Sequence, residues 1–174
     1  AVLMTLNDKN DLGVHSEMLA DGVVDLCIKG NINNSVKTIN KGKTVVSFLM
    51  GTEKLYNYVN NNPTVEVMAI DYVNNPFVVA QNDNMISINS CVQVDMMGQV
   101  CSESIGLKQI SAVGGQVDFV RGANASKGGK SIIAMPSTAA GGKVSKIVPF
   151  LDHGAAVTTS RADVGYIITE YGIA

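Results

Sequence analysis

A single α/β domain, with a mixed sheet flanked by helices, is the fold class this sequence predicts. Strand-like and helix-like segments alternate through the first half, the pattern of a sheet covered by helices. The second half is dominated by short apolar runs between turn residues, which predicts more strands than helices. No self-similarity at a period of roughly 20–50 residues is present, and no Pro/Ser-rich linker divides the chain.

The elements follow in order. Asp11 to Ser16 is short and extended. Glu17 to Lys29 carries apolar residues at helical spacing (Met18, Val23, Val24, Leu26, Cys27), with Gly30 as its stop. Asn31 to Gly42 is polar and turn-rich, a loop. Lys43 to Met50 is a buried strand, and Thr52 is the expected N-cap of a helix over Glu53 to Asn60. The Asn60-Asn61-Asn62-Pro63 cluster ends that helix. Val65 to Val73 is expected as a strand, and Phe77 to Gln81 as a short helix or turn. Met85 to Val94 and Gly98 to Ser102 form a strand pair turning at Asp95-Met96-Met97-Gly98. Val117 to Arg121 is helical, and Lys130 to Met135 is a strand ending at Pro136. Ser145 to Phe150, Ala155 to Thr159 and Val164 to Thr169 complete the set.

Composition narrows the function. Of 174 residues 46% are hydrophobic and 16% charged, which is globular and not disordered. A net charge of −2 without a basic run argues against a nucleic-acid partner, since phosphate contacts need concentrated positive charge. No apolar run approaches the roughly 18 residues of a membrane span, and no signal peptide is visible. Cys27, Cys91 and Cys101 are odd in number and lack a C-x-x-C pair, so free thiols in a reducing cytoplasm are expected, without metal. Ala1-Val2-Leu3-Met4 reads as the middle of an element, and Tyr166 to Ala174 as a strand and turn leading onward; both ends look cut.

Two segments carry chemistry. Ser111-Ala112-Val113-Gly114-Gly115-Gln116-Val117-Asp118-Phe119 is a glycine turn opening a helix. Such a turn lets backbone approach a ligand and aims N–H groups at negative charge, or else it is a tight turn needing positive φ. His15-Ser16-Glu17 places a carboxylate at a strand-to-helix junction, as a nucleophile or as a charge favoured by the helix dipole. Together they suggest a nucleophile facing an oxyanion site, hence acyl chemistry. A serine-hydrolase triad is disfavoured: His15 and Ser16 point to opposite faces of a strand, and no G-x-S-x-G elbow exists.

Ser126-Lys127-Gly128-Gly129-Lys130-Ser131 ends like a P-loop, but Asn124 occupies the glycine position and the element order is reversed. It is a glycine turn with solvated lysines, or one that lends a lysine to a ligand phosphate. His153 sits in an apparent surface loop, and Asp71, Asp95 and Asp163 lack metal-ligand spacing. Among Asn82, Asn84 and Asn89, the last interrupts the apolar run Met85-Ile86-Ser87-Ile88-Asn89, and a buried amide there needs a partner.

These segments resemble the acetyl-CoA hydrolase/CoA-transferase family, in particular its 4-hydroxybutyrate and butyrate–acetate branch. The matching text includes Asp11-Leu12-Gly13-Val14-His15-Ser16-Glu17-Met18, Phe48-Leu49-Met50-Gly51-Thr52 and Gly114-Gly115-Gln116-Val117-Asp118-Phe119. It extends to Lys127-Gly128-Gly129-Lys130-Ser131 and Thr169-Glu170-Tyr171-Gly172-Ile173-Ala174. The resemblance implies the C-terminal, NagB/RpiA-like domain of a cytoplasmic CoA-transferase, spanning the whole chain, truncated at both ends and lacking its N-terminal domain. It implies coenzyme A as substrate, a short-chain acyl-CoA and a carboxylate as reactants, and a homo-oligomer. Glu17 falls on the family's catalytic glutamate. Val113, Gly114 and Gly115 fall on its oxyanion and CoA loop, Lys130 (less so Lys127) is expected to contact the CoA nucleotide, and Asn89 to polarise the thioester.

Two departures accompany the likeness. The family loop reads Gly-x-Gly-Gly, and Ala112 replaces its first glycine; a methyl group there strains the turn if φ is positive. Ala1-Val2-Leu3 resembles the tail of a glycine-rich CoA-binding segment whose earlier glycines are absent.

Overall fold

The computed structural model describes residues 2–174. Ala1, the start of the segment likened above to a glycine-rich tail, lies outside the described residues, and Val2–Leu6 forms a 3-10 helix. The chain divides into two compact units, one ending at Asp83 and the other beginning at Asn84.

The first unit contains β1 (His15–Leu19), α1 (Asp21–Ile28), β2 (Thr44–Leu49), α2 (Glu53–Val59), β3 (Val65–Val67) and two single-turn helices, α3 (Ile70–Val73) and α4 (Pro76–Val79). Its three strands are parallel in the order β1-β2-β3. Val45 and Val46 are fully buried on successive positions, as expected of a parallel strand covered on both faces. α1 buries Val23, Val24 and Leu26 in a core shared with Leu19, Ile32, Val46 and Leu55.

Two boundaries differ from expectation. The strand expected over Asp11 to Ser16 lies over His15–Leu19, so Glu17 sits inside a strand and not at the start of a helix. The ladder to β2, pairing Ser16 with Val46 and Met18 with Phe48, outcompetes the helical periodicity. Ala20 remains extended (φ −128°), and α1 cannot begin before Asp21. The second difference concerns Val65 to Val73. Pairing with β2 ends as the Met68 N–H donates to the Val46 carbonyl, and the chain then winds into α3, burying Val73. Thr52 does stand at the N-cap of α2, but its hydroxyl donates to Asp21 instead of accepting from the helix.

The second unit contains β4 (Ile86–Asn89), β5 (Gln93–Asp95), β6 (Val100–Cys101), β7 (Ser104–Ile105), β8 (Lys108–Gln109), α5 (Gln116–Ala125), β9 (Lys130–Ala134), β10 (Thr138–Ala139), β11 (Val144–Ser145), β12 (Ile147–Val148), β13 (Tyr166–Thr169) and β14 (Gly172–Ile173). A mixed sheet runs β14-β13-β9-β4, and a smaller one β12-β5-β6. β4, β9 and β13 are mutually parallel, with α5 packed against β9 and β4. The α/β class with sheets and helices is therefore present, parallel in the first unit and mixed in the second.

Here too the strands are shorter than expected. Met85 to Val94 breaks after Asn89, and its halves join different sheets. Ser145 to Phe150 splits because the Ser145 hydroxyl donates to the Ile147 carbonyl and accepts from its N–H, displacing ladder bonds. Ala155 to Thr159 is not a strand. Thr158 and Thr159 both donate their N–H to the Val100 carbonyl, a bulge-like pairing that leaves only a Val100–Thr159 bridge.

Polar ties close the unit. Arg121 grips both oxygens of Asp163 (3.0 Å each), and Glu170 accepts from the Ser137 N–H and hydroxyl (2.8 and 2.6 Å). Each of these bonds holds its carboxyl below the ordinary range. Cys91 and Cys101 are buried and Cys27 half-buried, all as free thiols. Burial pushes the Cys91 thiol up to about 11, which removes it as a nucleophile.

Candidate functional site

Glu17 lies in the middle of β1 on the same face as His15, two residues earlier. That face meets the end of α3. The His15 Nε2 lies 2.8 Å from the Val73 carbonyl, and because a carbonyl only accepts, Nε2 carries the proton. Burial lowers the pKa of the imidazole, favouring its neutral form. One residue on, the Asn74 Nδ2 donates to Glu17 Oε2 at 2.7 Å. His15 thus secures the backbone from which Asn74 reaches Glu17.

The second oxygen of Glu17 stays available, and two unsatisfied atoms sit nearby in the fold. Asn74 Oδ1 and Ser47 Oγ are buried and accept or donate to nothing among the described residues. Ser47 lies on β2 between Val46 and Phe48, the partners of Ser16 and Met18, and therefore abreast of Glu17. A half-buried carboxylate, oriented through one oxygen, is suited to attack with the other.

Lys37 closes the opposite end of β1 and β2. Its ammonium donates to the Val14 and Lys43 carbonyls (2.8 and 2.7 Å), and desolvation lowers its pKa to about 8. No sequence signal marked Lys37 or Asn74.

The glycine loop belongs to the second unit. Gly114 takes φ +57°, the conformation its lack of Cβ permits, and Gly115 is the N-cap of α5. The N–H groups of Val113, Gly114 and Gly115 donate to no partner among the described residues. Ala112 is not in the left-handed region, so the strain expected from its methyl group does not arise. Asn89 ends β4 and donates to the Ser87 hydroxyl (2.8 Å). Lys127 is exposed in the turn after α5, where Gly128 takes φ +75°, and Lys130 is exposed at the start of β9. That turn is separated from the glycine loop by the ten residues of α5, roughly 15 Å. The loop and the lysines thus occupy opposite ends of one helix. His153 is exposed, while Asp95 is buried and accepts the Met97 and Gln99 N–H groups.

Among the described residues there is no group of three or more His, Cys, Asp or Glu able to hold a metal, and no helix long and apolar enough to cross a membrane.

His15, Asp163 and Glu170 all have folded pKa values below their unfolded ones. The stability each contributes is complete above its unfolded pKa and is lost as pH falls through the folded value. Urea midpoints are therefore expected to decline first below about pH 6.5, through His15, and again below about pH 4.5, through the carboxylates. A midpoint that rises on acidification contradicts this.

The chain is 70% identical over its whole length to the 4-hydroxybutyrate coenzyme A transferase of Clostridium kluyveri, and 51% identical to the succinyl-CoA:cyclohexane-1-carboxylate CoA transferase of Geobacter metallireducens. It spans about two fifths of the length of these relatives. Among solved structures, RipA from Yersinia pestis matches 99% of the chain at 50% identity with a TM-score of 0.94, the chain covering 39% of it. A 4-hydroxybutyrate CoA-transferase from Porphyromonas gingivalis matches 99% at 47% identity with a TM-score of 0.85, the chain covering 40% of it. The profile of the acetyl-CoA hydrolase/transferase C-terminal domain matches residues 51–174, and the chain belongs to that family.

Proposed function

We propose that this chain is the part of a CoA-transferase that carries the nucleophile, moving coenzyme A between a short-chain acyl-CoA and a carboxylate. The observation that supports it most is the Glu17 carboxylate, oriented at Oε2 by Asn74 and open at Oε1. The relatives' names point to 4-hydroxybutyryl, butyryl or acetyl groups as the acyl class.

Glu17 Oε1 attacks the thioester carbon, the C–S bond breaks, and CoA leaves as thiolate. The product is an acyl-glutamyl anhydride. The thiolate then attacks the glutamyl carbon, the acyl group departs as its carboxylate, and a glutamyl-CoA thioester remains. An incoming carboxylate reverses the sequence, regenerating Glu17. Oε2 becomes the carbonyl oxygen of both covalent intermediates, and it carries the oxyanion whenever the glutamyl carbon is attacked. Asn74 already donates to that atom, so its bond strengthens where charge develops. The free N–H groups of Val113, Gly114 and Gly115 are proposed to serve the oxyanion on the acyl carbon. Asn89 is proposed as a further polarising group. Lys130, with Lys127 second, is proposed for the nucleotide end of CoA, whose pantetheine arm separates that end from the thiol.

The proposal further assigns one 1–174 C-terminal domain, an N-terminal domain outside this chain, a homo-oligomer, and a cytoplasmic location consistent with three free thiols. Transfer and hydrolysis differ in the acceptor. With the full-length polypeptide, acyl-CoA consumption is expected only when acetate or another carboxylate is present. Equal consumption in its absence identifies a hydrolase instead.

A further inference from the structure

Both ends of the glycine loop are anchored on one pair of consecutive residues. Downstream, the Gln116 Nε2 donates to Thr159 Oγ1 at 2.9 Å. Upstream, the Gln109 Nε2 donates to the Ser111 carbonyl at 2.7 Å and to Glu103 Oε1 at 3.2 Å, and the Thr158 hydroxyl donates to Glu103 Oε2 at 2.9 Å. Thr158 Oγ1 also accepts the Ser102 N–H at 2.9 Å. The Glu103 carbonyl takes the N–H groups of Ile110 and Ser111. Thr158 and Thr159 are themselves fixed: both N–H groups donate to the Val100 carbonyl, and Val100 and Thr159 are fully buried.

Between these anchors the loop has little of its own. Ala112, Val113 and Gly114 are exposed, and the N–H groups of Val113 to Gly115 make no bond among the described residues. Among the described residues the bond within it runs from the Ser111 hydroxyl to the Ala112 carbonyl (3.0 Å), and a segment so sparsely bonded takes its conformation from its ends and otherwise spreads over several states.

We infer that Thr158 and Thr159 are positioning residues, which clamp the two ends of the Ser111–Gly115 loop so that its free amides are preorganised for the oxyanion. This rests on the proposed role of that loop. A donor displaced by a loosened loop loses stabilisation in the transition state and not in substrate binding, so kcat falls while KM holds.

The test uses the full-length polypeptide and three variants. Thr159→Val keeps shape and removes the acceptor for Gln116. It is expected to lower kcat about tenfold to a hundredfold with the KM for acyl-CoA within about twofold. Thr159→Ser restores the hydroxyl and is expected to return kcat to within about threefold of wild type. Gln109→Leu, at an exposed position and therefore expected to fold, releases the upstream end and is expected to show the same split. Wild-type kcat in the folded variants, or a change confined to KM, overturns the clamp when Glu17→Ala is inactive in the same assay. Transfer by Glu17→Ala overturns the underlying reading instead.

Discussion

Glu17→Ala is expected to remove CoA transfer altogether, a loss on the order of 10⁵–10⁶ in kcat, comparable to deleting a covalent nucleophile elsewhere. The size follows from what Glu17 contributes. Exchange by direct attack of one carboxylate on a distant thioester needs both substrates in place at once, whereas a resident carboxylate divides it into steps within one site. Neither Glu66 nor Asp21 substitutes: Glu66, on β3, lies across β2 from β1, and Asp21 is engaged with Thr52. Glu17→Gln keeps the shape but replaces a charged nucleophile by a neutral amide, and is expected to be as inactive. Acyl-CoA turnover assayed with acetate as acceptor checks both. The fold is expected to survive, because Glu17 is only half-buried and its side chain bonds, among the described residues, to Asn74.

Asn74→Ala is expected to have the next largest effect, a drop in kcat of about ten- to a thousandfold, the range for loss of one oxyanion donor. In the proposed reaction the Asn74 Nδ2 does two things at once. It selects which Glu17 oxygen attacks, and it meets the negative charge on the other oxygen when thiolate or carboxylate strikes the glutamyl carbon. The KM for acyl-CoA is expected to change little, since substrate binding does not use this bond. Asn74→Asp is expected to be worse than Asn74→Ala, because a second carboxylate against Oε2 repels the forming oxyanion. Steady-state kinetics of the two variants give the order, and a reversed order is incompatible with a donor role.

How far the site could be read in advance depended on where each group sits. Glu17 and the Val113–Gly115 loop lie in contiguous motifs, and their residue types already suggest a nucleophile and a set of free amides. Asn74 belongs to no such motif. It caps a single-turn helix in a stretch whose valines suggest a strand, and only the end of the β2 ladder at Met68 turns the chain toward Glu17. Sequence periodicity carries no information about where a neighbouring strand stops.

The run around Asn89 has its faces the other way round: Ile86 and Ile88 are 45% and 44% exposed, while Ser87 is buried and accepts from the Asn89 amide. The inward face of β4 is the polar one. Strand existence was legible from the Val- and Ile-rich runs, but strand length was not. Local competitors set the ends: the Ser145 hydroxyl, the paired Thr158 and Thr159 amides, and extended Ala20.

In the proposed reaction Glu17 itself carries CoA. Adding acyl-CoA to the full-length polypeptide without acceptor, digesting it and weighing the Glu17 peptide is the direct measurement. A peptide heavier by one CoA, and sensitive to borohydride, is the predicted result. An unmodified Glu17 peptide from protein that still exchanges CoA at the normal rate contradicts it.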